Sequence, residues 1–193
     1  MLPTLVSTDT APTDPRLRQR LAELDHGLTR RVAVDWRHPH WFVLSLGALS
    51  LTGNYGIVWF VLAVVPWLAG ADRPRTVFLF IAGPVFATEI ITFLIKTAVG
   101  RRRPPEHAGG APARIPLPVS HSFPSSHASM GMVGAISMGS LYPAVLPALL
   151  VLVAVLAFSR VYLGVHYVAD VAAGLLLGTG LGVVYILVSV LAT

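Results

Sequence analysis

The chain has 193 residues, of which 54% are hydrophobic and only 12% charged, and its mean hydropathy of +0.71 is too high for an ordinary soluble domain of this size. The net charge is +5 and cysteine is absent, which excludes a disulfide framework and a thiolate metal site; no basic stripe on a soluble fold points to nucleic acid. The composition reads instead as an all-α, polytopic transmembrane helix bundle over residues 35–193, preceded by a tail and a surface helix over residues 1–34.

Residues 1–14 read as a disordered tail and lack the pattern of a cleaved signal peptide. From Pro15 to about Val34, Leu17, Leu21, Leu24 and Leu28 recur at helical spacing among charges. That pattern predicts an amphipathic helix, lying on the bilayer surface or packed on the protein's own loops. Trp41 to Thr52 is about half a span long, a short first helix or a re-entrant one. After the Gly53, Asn54, Gly56 break, five stretches approach the length of a membrane span. They are Tyr55 to Gly70, Thr76 to Ala98, His127 to about Ser140, Ala144 to about Phe158, and Tyr167 to Leu191. The expectation is five full spans, or six with the short first helix. Trp36, Trp41, Trp59 and Trp67 fit interfacial belts, and Gly174, Gly178 and Gly182 form small-xxx-small steps suited to close helix packing within the chain.

Three polar clusters remain, each at a helix end. In "KTAVGRRRP", Lys96 and Arg103 are seven apart, so a continuous helix would put both cations on one face before Pro104 and Pro105 stop it. In "FPSSHAS", Pro124 sets the entry and Ser125 or Ser126 caps a helix beginning near His127, which leaves backbone N–H groups and hydroxyls facing outward as an oxyanion cradle. In "SRVYLGVHYVAD", His166 and Asp170 are four apart. A carboxylate accepting from one imidazole nitrogen leaves the other free and basic, although this spacing also suits a structural hydrogen bond. Arg160 stands just before them.

Taken together, Lys-x6-Arg-Pro (Lys96, Arg103, Pro104), Pro-Ser-x-His (Pro124, Ser125, His127) and Ser-Arg-x5-His-x3-Asp (Ser159, Arg160, His166, Asp170) resemble the tripartite signature of the type 2 phosphatidic acid phosphatase superfamily. One departure is Ser126, where that family carries glycine; its amide still supplies a donor provided the backbone there is not left-handed. The resemblance implies a lipid phosphatase whose phosphate is held by Lys96, Arg103, Arg160, Ser125 and Ser126. Neutral His166, aimed by Asp170, would attack phosphorus to form a phosphohistidine, and His127 would protonate the leaving oxygen and then activate water. Three cations would take the part a divalent ion plays elsewhere, so neither metal nor other cofactor is implied.

The implied partners are the bilayer and a phosphorylated membrane lipid: a polyprenyl phosphate or pyrophosphate, phosphatidic acid or phosphatidylglycerol phosphate. Two alternatives are a carrier that binds such a lipid without turnover and a vanadate-dependent haloperoxidase-like enzyme. Arg101 and Arg102 read as headgroup-snorkelling side chains, His121 as an exposed loop residue, and Glu89 as a counter-charge to the cations or an interhelical tie. In most members of the family the site is extracytoplasmic, which is the expectation here for a multi-pass protein of the cell membrane. The arginines before residue 38 favour a cytoplasmic N-terminus, and six spans would reconcile the two.

Overall fold

A computed structural model describes residues 14–107 and 110–192, so the expected N-terminal tail falls outside the described residues except for Asp14. Every regular element among them is helical. Helix α1 (Pro15–Arg30) opens on the Asp14 cap, whose carboxylate accepts from the Arg16 amide at 3.0 Å, with Pro15 in the first turn, where its missing N–H costs nothing. It relaxes into a π-helical turn over Arg31–Asp35. Helices α2 (His40–Thr52) and α3 (Ile57–Leu68) meet at a bend of 54°. At the joint Tyr55 and Gly56 have φ of 53° and 73°, so the backbone cannot continue as one α-helix. Helices α4 (Pro74–Val99), α5 (Ser126–Leu141), α6 (Leu146–Tyr162) and α7 (Val168–Leu191) complete the bundle.

Three stretches, Pro74–Glu106, Pro143–Tyr162 and Val168–Leu191, are long and apolar enough to cross a bilayer, and the bent α2–α3 pair makes a fourth if it is one span. The half-span of Trp41 to Thr52 is therefore the first limb of a bent pair. Helix α5 falls short of a span by length, and the reason is its position: twelve of its sixteen residues are buried, so it is sheathed by protein and needs no lipid-facing apolar surface. Trp59 also departs from the interfacial expectation. It is buried and lies on Gly134, while Trp36, Trp41 and Trp67 are exposed.

The helices alternate in direction, so the C-terminal ends of α4 and α6 and the N-terminal ends of α5 and α7 gather at one pole of the bundle. Below them Trp59, Ile81, Val85, Met130, Val133 and Val153 form the main core. The tightest seam is between α5 and α7. A Cβ on Gly174 would fall 2.6 Å from the Ser125 carbonyl oxygen, one on Gly178 would fall 2.3 Å from the Ser129 carbonyl oxygen, and one on Gly182 would meet Ile136 at 2.9 Å. Side-chain-free approach of this kind is how helices associate where lipid competes with apolar side chains. Gly178→Ala should therefore force the helices apart and lower stability by roughly 1–3 kcal/mol, read as an earlier thermal unfolding transition in detergent; Gly180→Ala, whose Cβ would meet nothing within 4 Å, serves as the neutral control.

Candidate active site

All three sequence clusters converge on this pole. Lys96 sits in the last turn of α4, which stops where Gly100 takes φ of 64° as the left-handed cap. Arg103 accordingly reaches the site from the following loop, not from a shared helical face as the spacing suggested; the glycine ended the helix before the prolines could. Its guanidinium is 1% exposed and donates to the carbonyls of Ser120 (3.0 Å), Val165 (2.7 Å) and His121 (3.3 Å), and Nη1 lies 3.3 Å from His166 Nε2.

His166 also stands off the helix, in the turn between α6 and α7. The four-residue spacing works through a cap: the Asp170 Oδ2 accepts from the Tyr167 amide at 2.9 Å and faces His166 Nδ1 at 3.4 Å. The same oxygen accepts a short hydrogen bond from the Ser122 hydroxyl, while Oδ1 accepts from Arg101 Nη1 at 2.6 Å. With Nδ1 turned to a carboxylate and Nε2 to a guanidinium donor, the fitting tautomer carries its proton on Nδ1 and its lone pair on Nε2. Burial, reinforced by Arg160, Arg103 and Lys96, holds His166 well below the ordinary imidazole value of 6.5 and keeps it neutral.

Helix α5 begins at Ser126, with Ser125 as its cap residue; the Ser125 amide donates to the Asp170 carbonyl at 3.0 Å, tying the first turns of α5 and α7 together. The expected side-chain cap is absent. Ser125 Oγ is buried with no partner among the described residues, and Ser126 Oγ instead shares a hydrogen bond with Thr92 of α4 at 3.1 Å. Tyr55 is the one non-glycine residue with positive φ among those described, so serine at 126 occupies its position without strain. His127 Nε2 donates to the Ser50 carbonyl at 3.0 Å, and Arg160 donates a short hydrogen bond to the Ser50 hydroxyl. Arg160 Nε, like Ser125 Oγ, is buried and unpartnered. Arg160, His166 and Lys96 all lie near enough to act electrostatically on His127. Among the described residues no group of three His, Cys, Asp or Glu side chains is disposed to hold a metal.

Three contributors escaped the sequence. Ser50 lies in an apolar helix and Ser122 in a Pro-rich loop, and neither position carries a periodic signal. Arg101 is no snorkelling side chain, since it bridges Asp170 and Asp25 of α1 at 2.6 and 2.7 Å; Arg102 is exposed as expected. His121 is exposed and holds Arg103 only through its carbonyl. Glu89 is half-buried, accepts from Thr92 Oγ1 within its own helix at 3.4 Å, and acts as a counter-charge to Lys96.

Three buried cations (Lys96, Arg103 and Arg160) and two buried imidazoles (His127 and His166) thus gather at one pole of a bundle of apolar helices. Residues 77–192 match the PAP2 superfamily. The decaprenylphosphoryl-5-phosphoribose phosphatase of Mycobacterium tuberculosis is 38% identical over 136 residues, 70% of this chain and 74% of that protein. An undecaprenyl-diphosphatase of Sulfolobus acidocaldarius is 28% identical over 69% of this chain and 65% of its own. Two solved structures share the fold: the PAP2-type phosphatidylglycerolphosphate phosphatase of Bacillus subtilis (TM-score 0.70, 21% identity, 86% of this chain and 84% of that one) and LpxE of Aquifex aeolicus (TM-score 0.71, 23% identity, 84% and 94%). The chain belongs to the PAP2 superfamily and is a membrane phosphatase acting on lipid phosphates.

The two serines that flank this site should behave in opposite ways. Ser125→Ala removes a buried hydroxyl that has no partner, so the unfolding temperature should hold or rise; Ser122→Ala strips a donor from the buried Asp170 and should cost about 1–3 kcal/mol, read in the same thermal unfolding assay.

Proposed function

We propose that this enzyme hydrolyses a polyprenyl-linked phosphate or pyrophosphate through a phosphohistidine on His166. The observation that carries the reading is the His166 imidazole, held between the Asp170 carboxylate and a pocket of buried cations whose Arg160 Nε and Ser125 Oγ have no partner. Lys96, Arg103 and Arg160 would neutralise the non-bridging oxygens, helped by Ser125 and the amides of Ser126 and His127 at the N-terminus of α5. The His166 Nε2 lone pair would attack phosphorus in line, and the Arg103 N–H now directed at that lone pair would pass to a phosphate oxygen. As the P–O bond breaks, His127 in its imidazolium form would give the leaving oxygen the Nε2 proton now directed at the Ser50 carbonyl and be left neutral. Water, deprotonated by His127, would then cleave the P–N bond to release phosphate and neutral His166. The polyprenyl class is favoured because the relatives above 25% identity are named for polyprenyl-linked phosphates.

The catalytic unit in this reading is residues 35–193, and residues 14–34 form an arm on its site face. Leu17, Leu21, Leu24 and Leu28 are all exposed along α1, while Asp25 and Thr29 face the protein. A leucine stripe flanked by arginines, on a helix held at the rim of a membrane bundle, suits insertion into anionic headgroups. Five crossings then follow, the bent α2–α3 pair and α5 each counting as one, and α1 shares a face with the active site. Outside the cradle that face carries Arg16, Arg18, Arg20, Arg30, Arg31, Arg37, Arg102 and Arg114, against Arg73 and Arg75 on the other. Such an imbalance favours a cytoplasmic active site in the cell membrane, the reverse of the extracytoplasmic expectation.

Phosphate release from a panel of polyprenyl phosphates, polyprenyl pyrophosphates, phosphatidic acid and phosphatidylglycerol phosphate, in detergent with EDTA, tests the chemistry. Release should persist with chelator, favour the polyprenyl esters and vanish in His166→Ala. Because neutral His166 is the attacking form and its value is depressed, kcat/KM should hold as pH falls through 6.5 and decline only below it. Binding of these lipids without release by the unmodified chain would establish the carrier alternative instead. Orientation is read by labelling single cysteines in intact cells with a membrane-impermeant maleimide. Val119→Cys, on the site face, should stay unlabelled until lysis, and Asp72→Cys, on the far face, should label from outside; the opposite pattern would put the site outside.

A further inference from the structure

The first turn of a helix leaves its amides without intrahelical acceptors, and these are usually satisfied by residues just before it. Two of the leading amides of α7 are satisfied from α1, more than 130 residues earlier in the chain. Thr29 Oγ1 accepts from the Val168 amide at 3.1 Å and Asp25 Oδ1 accepts from the Ala169 amide at 2.9 Å. Asp25 and Thr29 are four apart on one face of α1 and are among the few buried residues of that helix. The second oxygen of Asp25 takes Arg101 Nη2 at 2.7 Å, and Arg101 Nη1 takes Asp170 Oδ1 at 2.6 Å, with the guanidinium 4.1 Å above the Tyr167 ring. Arg101 thereby divides the Asp170 carboxylate. One oxygen is committed to the guanidinium, and the other is left for Ser122, the Tyr167 amide and His166 Nδ1.

We infer that Asp25 and Arg101 are positioning residues for the reaction, and that α1 acts through them as a strap setting how strongly and at what angle Asp170 holds His166. Neither touches the phosphate cradle; Asp25 lies outside the three sequence motifs, and Arg101 is one of the unspecified positions between Lys96 and Arg103 in the first. Their charges act in opposite senses. Arg101 withdraws part of the Asp170 field from the imidazole, and Asp25 cancels part of Arg101. The other groups facing His166 are Lys96 on α4, Arg103 and Ser122 on the loop, His127 on α5 and Arg160 on α6, and none of them contacts Asp25.

The inference rests on His166 as the nucleophile, and the test separates the two. In Arg101→Gln the uncompensated Asp170 favours the imidazolium, so the acid limb of kcat/KM should move to higher pH, and kcat should fall by about ten- to a hundredfold with KM nearly unchanged. In Asp25→Asn the full charge of Arg101 lands on Asp170, and the limb should move to lower pH. Arg101→Lys restores the charge but not the two-armed contact, so it should recover the limb while kcat stays low. A purely structural pair would shift neither limb and would lower only the yield of folded enzyme. Displacement of both limbs in one direction, no displacement, or a loss confined to KM would overturn the inference. The same opposed displacements should appear in histidine NMR titrations in detergent, with the His166 signal assigned by its absence in His166→Gln. Inactivity on every lipid would sink the phosphatase reading, and the titration would still judge the strap.

Discussion

The site exists because α5 and α7 are allowed to touch backbone to backbone. Gly174, Gly178 and Gly182 give α7 a flank without side chains, against which the Ser125 and Ser129 carbonyls of α5 lie at distances no Cβ would tolerate. That approach brings the Ser125 amide to the Asp170 carbonyl, so the turn bearing the cradle and the turn bearing the orienting carboxylate become one rigid piece. In a lipid surrounding, where apolar side chains gain little by leaving their solvent, close contact of this kind does the joining. The placement of Ser125 against Asp170 follows from that seam.

Placed on this frame, the cations are held in an unusual way. Among the described residues no carboxylate lies at hydrogen-bond distance of the Arg103 guanidinium; it is held by backbone carbonyls, the Ser120 hydroxyl and His166. Arg160 is held through Ser50, with one nitrogen left over. Burying positive charge against neutral dipoles is costly unless an anion completes the arrangement. The one strongly paired arginine of the region, Arg101, spends its charge on Asp25 and Asp170 at the margin of the cradle. Positive charge is therefore left uncompensated around Arg103 and Arg160 and is compensated by carboxylates around Arg101.

Much of this was legible in the sequence, and the failures share a cause. Helix spans could be read from runs of apolar residues, and the three motifs announced themselves because ionisable residues at membrane depth are expensive and therefore meaningful. The outcome differed wherever an end effect beat a period. Gly100 terminated α4 before the heptad spacing of Lys96 and Arg103 could matter, and α7 began at Val168 with Tyr167 as its cap, which left His166 in the turn before the helix. That helix α5 would be sheathed by protein was not legible, because its interior position depends on how the other helices surround it. Ser50, Ser122, Asp25 and Arg101 were invisible for a different reason. Each is an ordinary residue in its local window and gains its part only from a partner many tens of residues away.

Ser50 stands near the end of the first limb of a broken helix, and it presents two oxygens at once: the carbonyl to the His127 imidazole and the hydroxyl to Arg160. A phosphoryl group offers the same pair of acceptors from a single centre, with a negative charge added. The protein thus offers His127 and Arg160 two neutral acceptors from one residue of its own chain. In the reaction proposed for this site, a phosphate would compete with Ser50 for both groups.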